Sequence, residues 1–119
     1  MAKRTLSYVH AIPAAPYPWH LYLFVDREKW ARYQARRYGK LKAKLLEVAD
    51  ADGICKIDDT TSECFVGVFN GRVGTLAHEI THASTRILAC CNVPFSDTND
   101  EALAYLVGYL VDSCWPEVP

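Results

Sequence analysis

Between Gly74 and Cys91 the apolar residues Leu76, Ile80, Ala83 and Ile87 recur at intervals of four, three and four. A helix of about 3.6 residues per turn brings those positions onto one stripe, so the segment reads as an amphipathic helix pressed on a core. No other feature constrains the fold as tightly, because the rest of the chain has to supply the apolar surface that covers this stripe. Another face of the same helix carries His78 and His82, with Glu79 beside the first. These two histidines are off the core stripe and point toward a cleft-side surface.

The chain is short for that task. Its 119 residues make one domain, half of it apolar, and 12% aromatic content excludes a disordered tail. A formal charge of −1 removes the sequence-independent attraction on which most nucleic-acid binders depend. Basic residues do concentrate between Arg27 and Lys44; a solvated helix face is favoured over a phosphate-binding patch. No apolar run is long enough to span a membrane, and Lys3 and Arg4 precede only proline-interrupted runs, which argues against a secretory signal. Five cysteines (Cys55, Cys64, Cys90, Cys91 and Cys114) without a CxxC pair fit neither a disulfide framework nor a four-thiolate metal site. Reduced thiols and a cytoplasmic location are the expectation.

Along the chain, residues 1–18 read as an extended arm. Pro13, Pro16 and Pro18 fix their own φ and bias their neighbours away from helix, while Thr5–Ala11 is a short strand or a docked segment. Trp19–Val25 reads as a buried strand. Asp26 sits as an N-cap before a helix over Arg27–Tyr38, which Gly39 ends. Lys40–Ala49 fits a helix or a strand, and Asp50–Gly53 a turn. Ile54–Ile57 and Cys64–Phe69 form a hairpin across the loop Asp58–Glu63, and Asn70-Gly71 turns the chain into the helix Gly74–Cys91. Asn92-Val-Pro94 stops it, and a second apolar helix runs from Asp100 to Cys114.

His78-Glu79-Ile80-Thr81-His82 is an HExxH sequence. Helical residues four apart are neighbours on one face, so two imidazoles can grip a single ion while the glutamate reaches a water on it. Zinc lowers the pKa of such a water toward about 7, and a glutamate can take its proton during attack on a carbonyl. A catalytic zinc usually has three protein ligands. Candidates for the third are His10, His20, Asp97, Asp100, Glu101 and the cysteines. Glu101 opens the second helix, where the helix dipole favours a carboxylate, and follows His82 by nineteen positions, enough for a reversal and an antiparallel return. Leu103, Leu106, Val107 and Leu110 take the core side of that helix, while Glu101, Tyr105, Gly108 and Asp112 share another line.

HExxH followed by eighteen residues and a glutamate, in a helix reading DEALAYL, resembles the gluzincin group of zinc metallopeptidases. The resemblance implies zinc held by His78, His82 and Glu101, with Glu79 as general base for hydrolysis of a peptide bond. TLAHEITHAS followed by DEALAYLVGYLV also looks like short phage- and prophage-encoded HExxH proteins, which implies a bacterial host cytoplasm. The likeness covers roughly Phe65 to Asp112. Where larger gluzincins often have an aspartate four residues after the ligand glutamate, this chain has Tyr105. Orientation of a ligand histidine then falls to Asp97, Asp100, Asp112 or a backbone carbonyl. Tyr105 is the leading transition-state donor, ahead of Tyr109 and His20.

The expected fold is α+β and zincin-like. A small, mostly antiparallel sheet packs on the motif helix, the ligand helix crosses below it, and Arg27–Tyr38 covers the sheet. As a sheet edge, Cys64–Phe69 would hold an extended peptide or protein substrate by strand addition. The competing reading is a catalytically silent, zinc-stabilised binding protein acting on a host or phage protein, since small domains gain much of their stability from metals. A binder needs the ligands but not Glu79, so that residue favours an enzyme.

Overall fold

The computed structural model describes residues 10–40 and 50–119. The elements run β1 (His10–Pro13), β2 (His20–Phe24), α1 (Arg27–Tyr38), β3 (Gly53–Asp58), β4 (Glu63–Val68), α2 (Val73–Cys90) and α3 (Glu101–Cys114). A short 3-10 turn over Trp115–Glu117 follows α3. The expectations for residues 5–9 and 41–49 lie outside the described residues. Ala11 belongs to β1, and the link from β1 to β2 contains a cis Ala15–Pro16 peptide.

The four strands form one mixed sheet in the order β1-β2-β4-β3. β1 is antiparallel to β2 and β3 is antiparallel to β4, whereas β2 and β4 run parallel, with Leu21 opposite Cys64 and Leu23 opposite Val66. A parallel pair needs a connection that brings the chain back to the same end; α1 and β3 lie between the two strands in sequence, and β3 runs antiparallel to β4. The architecture is therefore a small α+β fold, with a sheet less uniformly antiparallel than expected.

Strand alternation divides the apolar residues between two layers. Leu21, Leu23, Cys64, Val66 and Val68 face α2 and α3, where they meet Leu76, Ile80, Ala83, Ile87, Leu106 and Leu110. All four residues of the α2 stripe are completely buried, as the spacing requires. The opposite face carries Phe24 and Phe65 beneath Trp30 of α1, with Tyr22, Tyr33 and Tyr38 around them. Phe24 meets Trp30 edge-on at 5.1 Å, and Phe65 stacks on Tyr22 at 5.5 Å.

The basic helix α1 is held by its own charges. Asp26 caps it by accepting from the Lys29 amide, and Gly39 ends it at φ 92°. Arg37 pairs with Glu63 and lies 3.6 Å from Asp58, and Tyr38 donates to Asp58 at 2.6 Å. Arg27 packs over the Phe69 ring, and Arg32 pairs with Glu28 across one turn. Several of the arginines expected on a solvated face thus tie the helix to the sheet or to itself.

One expectation is overturned. The strand covering Cys64–Phe69 is not an edge: β4 is bonded to β2 on one side and to β3 on the other. Its backbone groups are consumed by the sheet and cannot accept a peptide strand. The near-continuous apolar run of β4 is the signature of a strand covered on both faces. Among the described residues, the edges are β1 and β3.

Candidate metal centre

Arg72 precedes the first turn of α2, Leu76 N–H bonds to its carbonyl at 3.2 Å, and the helix then continues through Cys90. Burial of the Leu76–Ile80–Ala83–Ile87 stripe fixes the rotation of this helix, and that rotation leaves His78 and His82 on its open side. Their Nε2 atoms approach to 3.2 Å, with ring centroids 4.8 Å apart and planes at 77°. Two ligands each about 2.0–2.1 Å from a tetrahedral zinc stand about 3.3–3.4 Å apart. The observed separation is that of a hydrogen bond between the two rings, and the pair could also hold a metal ion.

Glu79 completes the group: one ligand atom from each of His78, Glu79 and His82 lies within 4.8 Å of the others. Unlike the histidines, Glu79 is only 6% exposed. It sits between α2 and β3, where a Cβ added to Gly53 would stand 3.0 Å from Glu79 Cγ and 2.6 Å from Thr75 Cγ2. The missing side chain of Gly53 is what lets the edge strand close on the helix. Among the described residues Glu79 has no hydrogen-bond or ion-pair partner. Burial pushes its pKa above the usual carboxylate range, against the opposing pull of His78 and His82. The nearby Cys55 thiol is pushed up to about 12, first by burial and then by the Glu79 charge.

His78 and Glu79 open onto a depression of about 660 Å³. Asp52 and Gly53 line it on the strand side, and Asn70, Arg72, Val73, Gly74 and Thr75 on the helix side. Asn70 builds this corner by accepting from the Arg72 amide at 3.1 Å and donating to the Thr75 hydroxyl at 2.8 Å. Sequence reasoning read Asn70-Gly71 and Gly53 only as turn residues. Nothing in their local pattern reveals that strand and helix meet there.

The other candidates stand apart from this group. Glu101 is exposed in the first turn of α3, while Asp97 and Asp100 are exposed before it. His20 is exposed at the start of β2, and the backbone of His10 lies in β1. Tyr105 is 55% exposed and stacks on Tyr109 at 6.1 Å. Asp112 is exposed on α3. All five cysteines are free thiols, and Cys64 and Cys114 are buried in the core. The structure gathers two of the three expected ligands with the expected base, and Glu101 is not part of the group.

No protein-family model matches the chain, and neither does any curated protein or solved structure.

Proposed function

We propose that the chain is a zinc-dependent metallopeptidase whose reaction centre is the group His78, Glu79 and His82. The observation that carries this reading is the approach of the His78 and His82 Nε2 atoms to 3.2 Å beside Glu79, a residue only 6% exposed that lines the same depression.

Zinc at this pair would supply Lewis-acid activation, lowering the pKa of a water toward about 7 and polarising a peptide carbonyl. His78 and His82 would hold the ion through their Nε2 atoms. Glu79, its proton affinity raised by burial, takes the proton of the attacking water and delivers it to the leaving amine. Glu101 is assigned as third ligand on the gluzincin resemblance, and its carboxylate has no hydrogen bond or ion pair among the described residues. Tyr105, on the same helix, is the candidate transition-state donor. With β4 interior, the edge of β3 is the place for an extended substrate, because its backbone runs past Glu79 at Gly53. A phage origin and a host-cytoplasm location rest on the same resemblance. Among the described residues no helix is long and apolar enough to cross a membrane.

The test is metal analysis of wild type and Glu79→Gln, with both proteins presented with a peptide library. Equal zinc in both, with cleavage by the wild type alone, is the expected result. Equal zinc with no cleavage by either would favour the zinc-stabilised binding protein. Absence of stoichiometric metal would overturn the site.

A further inference from the structure

Two imidazoles leave an ion one protein ligand short of the usual catalytic set of three. Spacing along the chain names Glu101, but α3 begins beside the far end of α2. Leu103, in the first turn of α3, lines one groove with Leu88 and Ala89. Those two residues follow His82 by six and seven positions, which places them about 9–10.5 Å further along the helix axis. The depression that His78 and Glu79 line is at the opposite end of α2, beside Arg72 and Val73.

Asp52 lines that depression from the strand side. Its carbonyl accepts the Phe69 amide at 2.8 Å, and the next residue, Gly53, lies against Thr75 and Glu79, so the backbone here is held close to the metal helix. The Asp52 side chain is exposed and makes no hydrogen bond or ion pair among the described residues, although Arg72 lines the same space. We propose that Asp52 is the third protein ligand of the ion held by His78 and His82, in the position that the resemblance gives to Glu101. The assignment rests on the zinc reading of the imidazole pair. Asp52 stands outside the 4.8 Å group of His78, Glu79 and His82; exposed and unpaired, it can turn toward the ion without breaking a contact. Two imidazoles and one carboxylate are a catalytic zinc donor set that leaves the fourth position to water. The charges agree, because the lining carries the carboxylates of Asp52 and Glu79 against the single guanidinium of Arg72, and an excess of negative charge favours a cation.

The experiment is calorimetric titration of zinc into the metal-free protein, with cobalt(II) absorption as a report on coordination. Asp52→Asn should bind zinc on the order of 100-fold more weakly than wild type, the upper end of what loss of a group supporting a metal ligand costs. It should still fill at saturating zinc, because both imidazoles remain. Asp52→His, uncharged but able to ligate, should recover most of the affinity, which a purely electrostatic role would not allow. Glu101→Gln should match wild type. Cobalt(II) should give the intense visible bands of four-coordination in wild type and Asp52→His, and weaker bands in Asp52→Asn. Metal-free Tm should be the same in wild type and both Asp52 variants, since the side chain is unpaired. Wild-type affinity in Asp52→Asn, failure of Asp52→His to recover what Asp52→Asn loses, or an equal loss in Glu101→Gln would each overturn Asp52 as ligand and leave the imidazole pair standing. A wild type that takes up no zinc would overturn the assignment together with the metallopeptidase reading.

Discussion

At Gly53 the edge strand packs against α2, and Gly53→Ala puts a methyl group into that contact. The new Cβ would lie 2.6 Å from Thr75 Cγ2, 3.0 Å from Glu79 Cγ and 3.0 Å from the Gly67 carbonyl oxygen. Ordinary carbon–carbon contacts sit at about 3.5–4.0 Å, so the Thr75 contact is short by about 0.9 Å. None of the neighbours can yield cheaply. Thr75 is held by Asn70 at 2.8 Å, and the Gly67 carbonyl belongs to the β3–β4 ladder. Overpacking of this kind costs about 1–3 kcal/mol. At about 2 kcal/mol, Tm of a chain this size falls by about 6–12 °C. Zinc content should be unchanged, because His78 and His82 are on the open side of α2, whereas displacement of Glu79 should lower turnover by about tenfold or more. Thr75→Ser removes the Cγ2 methyl and keeps the hydroxyl, so the double variant should recover about half of the lost stability. Thermal unfolding of all four proteins measures this coupling directly. A Gly53→Ala protein that melts with the wild type, or a double variant no better than Gly53→Ala, would refute the close contact and the account of what seats Glu79.

Two further outcomes concern the opposite face of the sheet. Hydrogen bonds from Thr60 and then Tyr38 hold the Asp58 carboxyl down to about 2, below its ordinary value of 3.8. A depressed carboxyl stabilises the fold fully above its unfolded pKa and loses that contribution as pH falls through the folded value. Wild-type Tm should therefore drop between about pH 4 and pH 2, less steeply for Asp58→Asn, and parallel curves would contradict the assignment. Phe65 is fully buried among Tyr22, Phe24, Tyr33 and Tyr38, so Phe65→Ala should cost about 3–5 kcal/mol in urea unfolding. The folded fraction should keep its full zinc content, since the metal group lies across the sheet.

Much of this architecture could be read from local pattern. Asp26 and Gly39 bracket α1 because capping is decided within a few residues. The α2 stripe and its open histidine face follow from helical period alone. Strand order did not follow. Cys64–Phe69 reads equally well as an edge or an interior strand, and its place depends on β2 pairing with it from about forty residues away. The corner at Asn70–Thr75 was hidden for the same reason: each residue there has an ordinary turn or helix-start role, and its function comes from the approach of Gly53. Glu101 illustrates the opposite limit. A motif spacing names it as a ligand, but spacing along a chain does not fix where a first-turn side chain stands, and it is exposed outside the cluster.

The sequence by itself determined the imidazole pair, because residues four apart on one helix must meet whatever surrounds them, and it determined the face they occupy, because the core stripe leaves only one rotation. Tertiary structure alone decided that Glu79 is buried while its neighbours are open, that β3 and not β4 borders the site, and that Arg72 faces the same space as the metal group. Those properties come from long-range packing of a strand on a helix, a contact between residues too far apart in the chain for local periodicity to specify.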